Sequence, residues 1–160
     1  MNYEHLVQIN DPLNPLMPLL SRGDVWRGLV LRAEQPELFV MGLDSCRIVE
    51  RTANTLTREL RYGSQLVRDR VILSPQQSVR YEIAATPDHV GGSLTMALEA
   101  PDEISLFIRF RYETTLQTGQ GGEDEQTSEI VKSAYRESDI DTVRRIRELV
   151  ESGRFERLLH

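Results

Sequence analysis

Residues 55–74 read TLTRELRYGSQLVRDRVILS, two alternating runs joined by Gly63 and Ser64. A two-residue type II′ turn at that pair sets Tyr62 against Gln65, Leu60 against Val67 and Leu56 against Val71. The apolar pairs then share one face, while Glu59 meets Arg68 on the other, so side-chain chemistry agrees with the turn geometry. The same register places Arg58 on the apolar face between Leu56 and Leu60, with Asp69 directly opposite.

Working outward, short alternating runs separated by turn residues extend from about residue 45 to 117 and predict six antiparallel strands. A loop from Ser74 to Ser78 sets Val71 against Tyr81 and Leu73 against Val79. The loop around Pro87 to Gly91 sets Tyr81 against Met96, and the turn at Pro101, Asp102 and Glu103 sets Met96 against Ile108 and Leu98 against Leu106. The hairpin around Thr52 to Asn54 admits two registers one residue apart. Upstream, Tyr3, His5, Val7 and Ile9 alternate with Glu4, Leu6 and Gln8 in a first strand. Asn14 and Pro15 offer an N-cap and a first-turn proline for a short helical segment. A second helix begins after Ser21 and closes at Pro36, with Val25, Trp26, Leu29, Val30 and Ala33 as its apolar stripe. Downstream, Val131, Ala134, Tyr135, Ser138, Thr142, Ile146 and Leu149 fall on one stripe of a long helix ending near Gly153, with a break at Ser138 as the alternative.

A chain of 160 residues with 39% apolar content is one domain of ordinary size, residues 1–160, able to fill a core without staples. Cys46 alone allows neither an intrachain disulfide nor a four-cysteine zinc site, which points to a reduced, cytoplasmic protein. No run approaches the roughly 20 apolar residues of a membrane span. A net charge of −6 disfavours nucleic acid and anionic lipid. Lys132 is the single lysine, so Schiff-base chemistry has one candidate, on a surface-facing stretch. His5, His89 and His160 lack metal-ligand spacing, and no metal site is expected. Gly119, Gly121 and Gly122 precede Glu123, Asp124 and Glu125, which repel a phosphate and suit a loop acting as a lid at a cavity mouth.

Strand, two short helices, six strands and a long C-terminal helix is an order that resembles the helix-grip superfamily of START and birch-pollen-allergen-like proteins, SRPBCC. The strings SRGDVWRGL from Ser21 to Leu29 and YRESDIDTVRRIREL from Tyr135, with Pro36, Phe39 and Cys46, resemble its AtaL-like branch. The resemblance implies an α+β fold: a seven-stranded curved antiparallel sheet wrapped around the C-terminal helix, with two short helices between strands 1 and 2. It also implies a cavity between sheet and helix that in many relatives holds lipids, polyketides or other apolar molecules. Some relatives are aromatases or cyclases and others only bind or carry, a choice that fold membership does not make.

Within such a cavity Arg58 is the informative residue, because an inward guanidinium needs a carboxylate, water or an anionic ligand. Asp69 meets that need as an internal salt bridge; otherwise Arg58 anchors a ligand carboxylate, phenol or carbonyl. Tyr62, Tyr81, Tyr112 and His5 share the inward parity, as does Met96, and the tyrosines suit either core packing or the orientation of a hydrophobic guest. Ser138 and Thr142 interrupt the stripe of the last helix and face either the cavity or their own backbone. The leading expectation is a module binding a small, largely apolar or aromatic molecule without a cofactor. The alternatives are a polyketide cyclase, aromatase or dehydratase, with Arg58 stabilising an enolate and His5 or Tyr81 exchanging protons, and a packed interaction protein, including a homodimer.

Overall fold

The computed structural model describes residues 2–87, 91–114 and 125–153, with only the backbone for 125–128. Strand β1 (Asn2–Asn10) leads through turns to helix α1 (Arg22–Glu34) and a 3₁₀ turn at Pro36–Leu38. Six strands follow: β2 (Ser45–Arg51), β3 (Thr55–Tyr62), β4 (Gln65–Ser74), β5 (Ser78–Ile83), β6 (Gly92–Glu99) and β7 (Leu106–Thr114), before the long helix α2 (Glu125–Glu151). All seven strands form one antiparallel sheet in the order β1-β7-β6-β5-β4-β3-β2. Helix α2 packs across β1 and against α1, and the core lies between the helices and one face of the sheet.

The β3–β4 register is the expected one throughout, from Tyr62 opposite Gln65 to Leu56 opposite Val71. Gly63 takes φ +60° at the first turn position, the left-handed conformation a type II′ turn requires there. Both registers allowed for the preceding hairpin occur. A bulge between Ile48 and Glu50 shifts the β2–β3 pairing by one residue, from Ile48 opposite Arg58 to Arg51 opposite Leu56.

Strand β6 departs from expectation. Tyr81 faces Leu94 instead of Met96, and Met96 faces Phe110 instead of Ile108. Leu98 likewise meets Ile108 instead of Leu106. The strand has slid two residues relative to both neighbours, which preserves the inward parity but changes every partner. Part of the cause is the turn before β7: the Asp102 carboxylate accepts the amides of Ile104 at 3.0 Å and Ser105 at 2.7 Å, so the connection is longer than three residues.

The segment around Asn14 is also not helical. It turns through Asn14 N–H to Asp11 O and Met17 N–H to Asn14 O, while the Asn14 side chain accepts from Leu16 at 3.1 Å. Buried Asn10 then clips this excursion back to the sheet, donating to Leu20 O at 2.8 Å and accepting from Leu20 N–H at 2.9 Å. The short helical element besides α1 is instead the 3₁₀ turn after it, at Pro36.

Helix α1 starts where expected, with Ser21 Oγ accepting the Asp24 amide at 3.0 Å, and its buried face includes Val25, Trp26, Leu29 and Ala33. Gly28 lies on the same face. A Cβ there would sit 2.7 Å from Ile146 Cγ2, so the absence of a side chain lets α1 and α2 approach. Helix α2 is unbroken at Ser138 and ends at Glu151, two residues before Gly153, which takes φ +70°. Among the described residues no helix is long and apolar enough to cross a membrane. The glycine patch at 119–122, its acidic sequel, His89 and His160 fall outside the described residues.

Candidate functional site

A cavity of about 330 Å³ opens between the inner face of the sheet, the end of α1 and the first part of α2. Four tyrosines contribute to its wall: Tyr62 at the end of β3, Tyr81 on β5, Tyr112 on β7 and Tyr135 on α2. Leu60, Ile83 and Leu94 add aliphatic surface, while Arg32, Arg58 and Asp69 supply charge. The slide of β6 decides one of these positions. It brings Leu94 beside Tyr81 and sends Met96 into the closed core, where it is fully buried.

Arg58 and Asp69 are 3% and 5% exposed and form a two-pronged ion pair, Nε to Oδ1 at 2.8 Å and NH2 to Oδ2 at 2.5 Å. A third donor, NH1, reaches the Ala33 carbonyl at 2.8 Å. That carbonyl belongs to the last turn of α1, so Arg58 also caps the helix end. Burial opposes the guanidinium charge, but hydrogen bonding and charge from Asp69 outweigh it and hold the Arg58 pKa above its ordinary value. The pair is therefore a complete internal salt bridge at the cavity wall.

Arg32, one residue before Ala33, is different. Its Nε is buried without a hydrogen-bond partner, and no carboxylate pairs with it among the described residues. Both guanidinium carbons, of Arg32 and of Arg58, lie 5.1 Å from the centre of the Tyr81 ring. Such distances suit cation–π contact. Tyr81 is 6% exposed, and its hydroxyl is buried with no partner.

On the opposite wall the Tyr112 hydroxyl donates to Asp139, 2.6 Å from Oδ1 and 2.8 Å from Oδ2. His5 Nε2 lies 2.6 Å from Asp139 Oδ2. Asp139 is 1% exposed, and burial pushes its carboxyl above the usual range, an effect that the Tyr112 and His5 hydrogen bonds and the charges of His5 and Arg32 only partly oppose. Burial and the neighbouring Asp139 also raise Tyr112 far above an ordinary phenol, so its proton stays on oxygen. Tyr112 stacks on Tyr135 at 4.0 Å between centroids, and Tyr3 and His5 extend the ring cluster.

Of the residues expected to meet a ligand, Arg58, Asp69, Tyr62, Tyr81 and Tyr112 line the cavity. Met96 does not, for the reason given. His5 stands behind Tyr112, reaching the cavity wall through Asp139. Ser138 is exposed, and Thr142, though buried, donates to the Ser138 carbonyl of its own helix at 3.1 Å. Among the described residues of α2, Asp139 is the polar side chain that bonds to the aromatic wall. At 100° per residue it lies about 40° from Tyr135, whereas Ser138 lies about 60° away on the other side, so helical geometry alone pointed to it. A carboxylate is ordinarily assigned to the solvent side of a stripe. Arg32 carried no such signal, because a basic residue in a last helical turn is commonplace.

A seven-stranded antiparallel sheet closed over a long C-terminal helix, with an aromatic cavity between them, is the helix-grip architecture of the START and birch-pollen-allergen-like superfamily. The chain belongs within it to the AtaL family, acetylaranotin biosynthesis cluster protein L, whose family model matches residues 7–153. Similar solved structures include the Zhui aromatase/cyclase from Streptomyces sp. R1128, with 16% identity, a TM-score of 0.59, and 100% of this chain and 96% of that one covered. Truncated norcoclaurine synthase from Thalictrum flavum shares 13% identity at a TM-score of 0.63, covering 94% and 92%. Ara h 8.0201 shares 15% at 0.59, covering 95% and 98%. At these identities the likeness concerns the fold. A comparison with curated proteins found no match.

Proposed function

We propose that the protein binds a small, largely apolar or aromatic molecule, lipid- or polyketide-like, in the cavity between the sheet and α2. The observation that carries this reading is the cavity itself: about 330 Å³ walled by four tyrosine rings and three aliphatic side chains, with charged groups confined to one part of the wall. Such a space lies near the lower end of the roughly 300–1,000 Å³ typical of ligand pockets and suits a molecule of two or three fused rings. The reading needs no cofactor. The neutral two-ring ketone 2-acetylnaphthalene serves as a probe, titrated calorimetrically. The wild-type protein should bind it saturably, and Leu94→Trp, which fills the cavity, should weaken binding at least about tenfold while the fold persists. Binding indifferent to Leu94→Trp would place the probe elsewhere and remove the proposal.

A second reading is favoured by the Tyr112, Asp139 and His5 chain. In a cyclase, aromatase or dehydratase-like enzyme acting on a poly-β-keto substrate, the Tyr112 hydroxyl would exchange a proton with the substrate while Asp139 holds and orients it. Arg58 is a weaker candidate for enolate stabilisation than its inward position suggested, because Asp69 and Ala33 already occupy three of its donors. On this reading Tyr112→Phe should cost about 10²-fold or more in turnover with near-ultraviolet circular dichroism unchanged. Undiminished turnover would leave the binding role standing alone.

A further inference from the structure

Two arginines meet the ring of Tyr81, and only one is satisfied. Arg58 spends its donors on Asp69 and on the Ala33 carbonyl. Arg32 lines the same cavity with its Nε buried and unpartnered among the described residues, and Asp139, whose carboxyl feels the Arg32 charge, is engaged by Tyr112 and His5. A guanidinium cannot escape this situation by losing its proton, as a buried carboxyl or amine does. The end of α1 offers Arg32 partial compensation through the helix dipole, and its charge is felt at Asp139, but neither gives its terminal nitrogens a hydrogen-bond acceptor. Water can hydrate the group without neutralising it. The Tyr81 ring, over which both guanidinium groups lie, lines the same cavity.

We propose that Arg32, through its terminal NH1 and NH2 groups, forms the anion-recognition point of the cavity, and that its natural occupant is an aromatic or polyketide-like molecule bearing a carboxylate or an ionised enol or phenol at the end that reaches α1. The apolar body lies against Leu94, Ile83 and the tyrosine rings, and the anionic end takes up the donors that the chain leaves open. Arg58, on β3, is the scaffold cation, and Arg32, at the end of α1, is the ligand cation. This inference rests on the cavity being the binding site.

The test uses an isosteric pair, 2-naphthoate and 2-naphthamide, titrated at pH 8 where the acid is ionised. Wild-type protein should prefer naphthoate by about tenfold or more, the scale of a charge-assisted over a neutral contact. Arg32→Gln should abolish most of that preference by weakening naphthoate while leaving naphthamide within about twofold, and its thermal midpoint should change little, because the charge removed is half-buried and has no carboxylate partner among the described residues. Arg32→Lys, which keeps charge without the planar fork, should retain part of the preference and serves if the glutamine variant folds poorly. Equal affinity for the two probes in the wild type, or a preference undiminished in both Arg32 variants, overturns the inference and leaves the cavity reading intact. Failure of both probes to bind removes the cavity reading, and this inference with it.

Discussion

Arg58→Ala is expected to destabilise the fold by about 3–5 kcal/mol, because it strands Asp69 as an unpaired charge that is only 5% exposed. It also frees the Ala33 carbonyl at the end of α1. Urea denaturation at pH 7 measures the loss. The decisive companion is the double variant Arg58→Met with Asp69→Leu, which removes both charges at similar volume and should recover most of the stability, since a well-packed apolar pair commonly matches a buried ion pair. A loss below about 1 kcal/mol for Arg58→Ala would mean that water reaches Asp69 freely, and the pair would then not be the internal fastening described above.

The second large effect concerns Asp139. Asp139→Ala leaves the Tyr112 hydroxyl and His5 without their shared partner and should cost about 1–3 kcal/mol per orphaned group. Asp139→Asn behaves differently, because the amide oxygen still accepts from Tyr112 and the group is neutral at every pH. Burial raises the Asp139 pKa above its ordinary value of 3.8, so its protonated form is favoured in the folded state. The corresponding stability is fully present below about pH 4 and is lost as pH rises through the raised pKa. Relative to wild type, Asp139→Asn should therefore gain stability as pH rises across that window, at up to about 1.4 kcal/mol per pH unit, and then run parallel. A wild-type-minus-variant difference independent of pH between 4 and 8 would contradict a raised carboxyl.

How much of this was visible in the chain follows from which geometry each residue depends on. The β3–β4 pairing, and with it the Arg58–Asp69 contact, was legible because a two-residue turn leaves no freedom in register. The partners of Met96 were not, because the loops flanking β6 are long enough to absorb a slide of two residues, and parity alone is blind to an even shift. The long helix was legible from its period, yet its one inward carboxylate was missed in favour of the neighbouring serine. The helical period put Asp139 nearer to Tyr135 than Ser138 is, but a carboxylate is ordinarily assigned to solvent, and the partners that hold it inward, Tyr112 and His5, come from two strands more than a hundred positions apart, a meeting no local pattern announces. The short helical element before α1 failed for a related reason: Asn14 and Pro15 are compatible with a cap, but the Asn10 clip to Leu20 holds the segment in turns.

The grip of Arg58 on the Ala33 carbonyl divides labour between the two arginines. It secures the peptide that follows Ala33, so Arg32 projects into the cavity from a helix end anchored by another side chain. A substitution at position 32 therefore leaves the fastening of the helix end in place, because Arg58 and not Arg32 makes it.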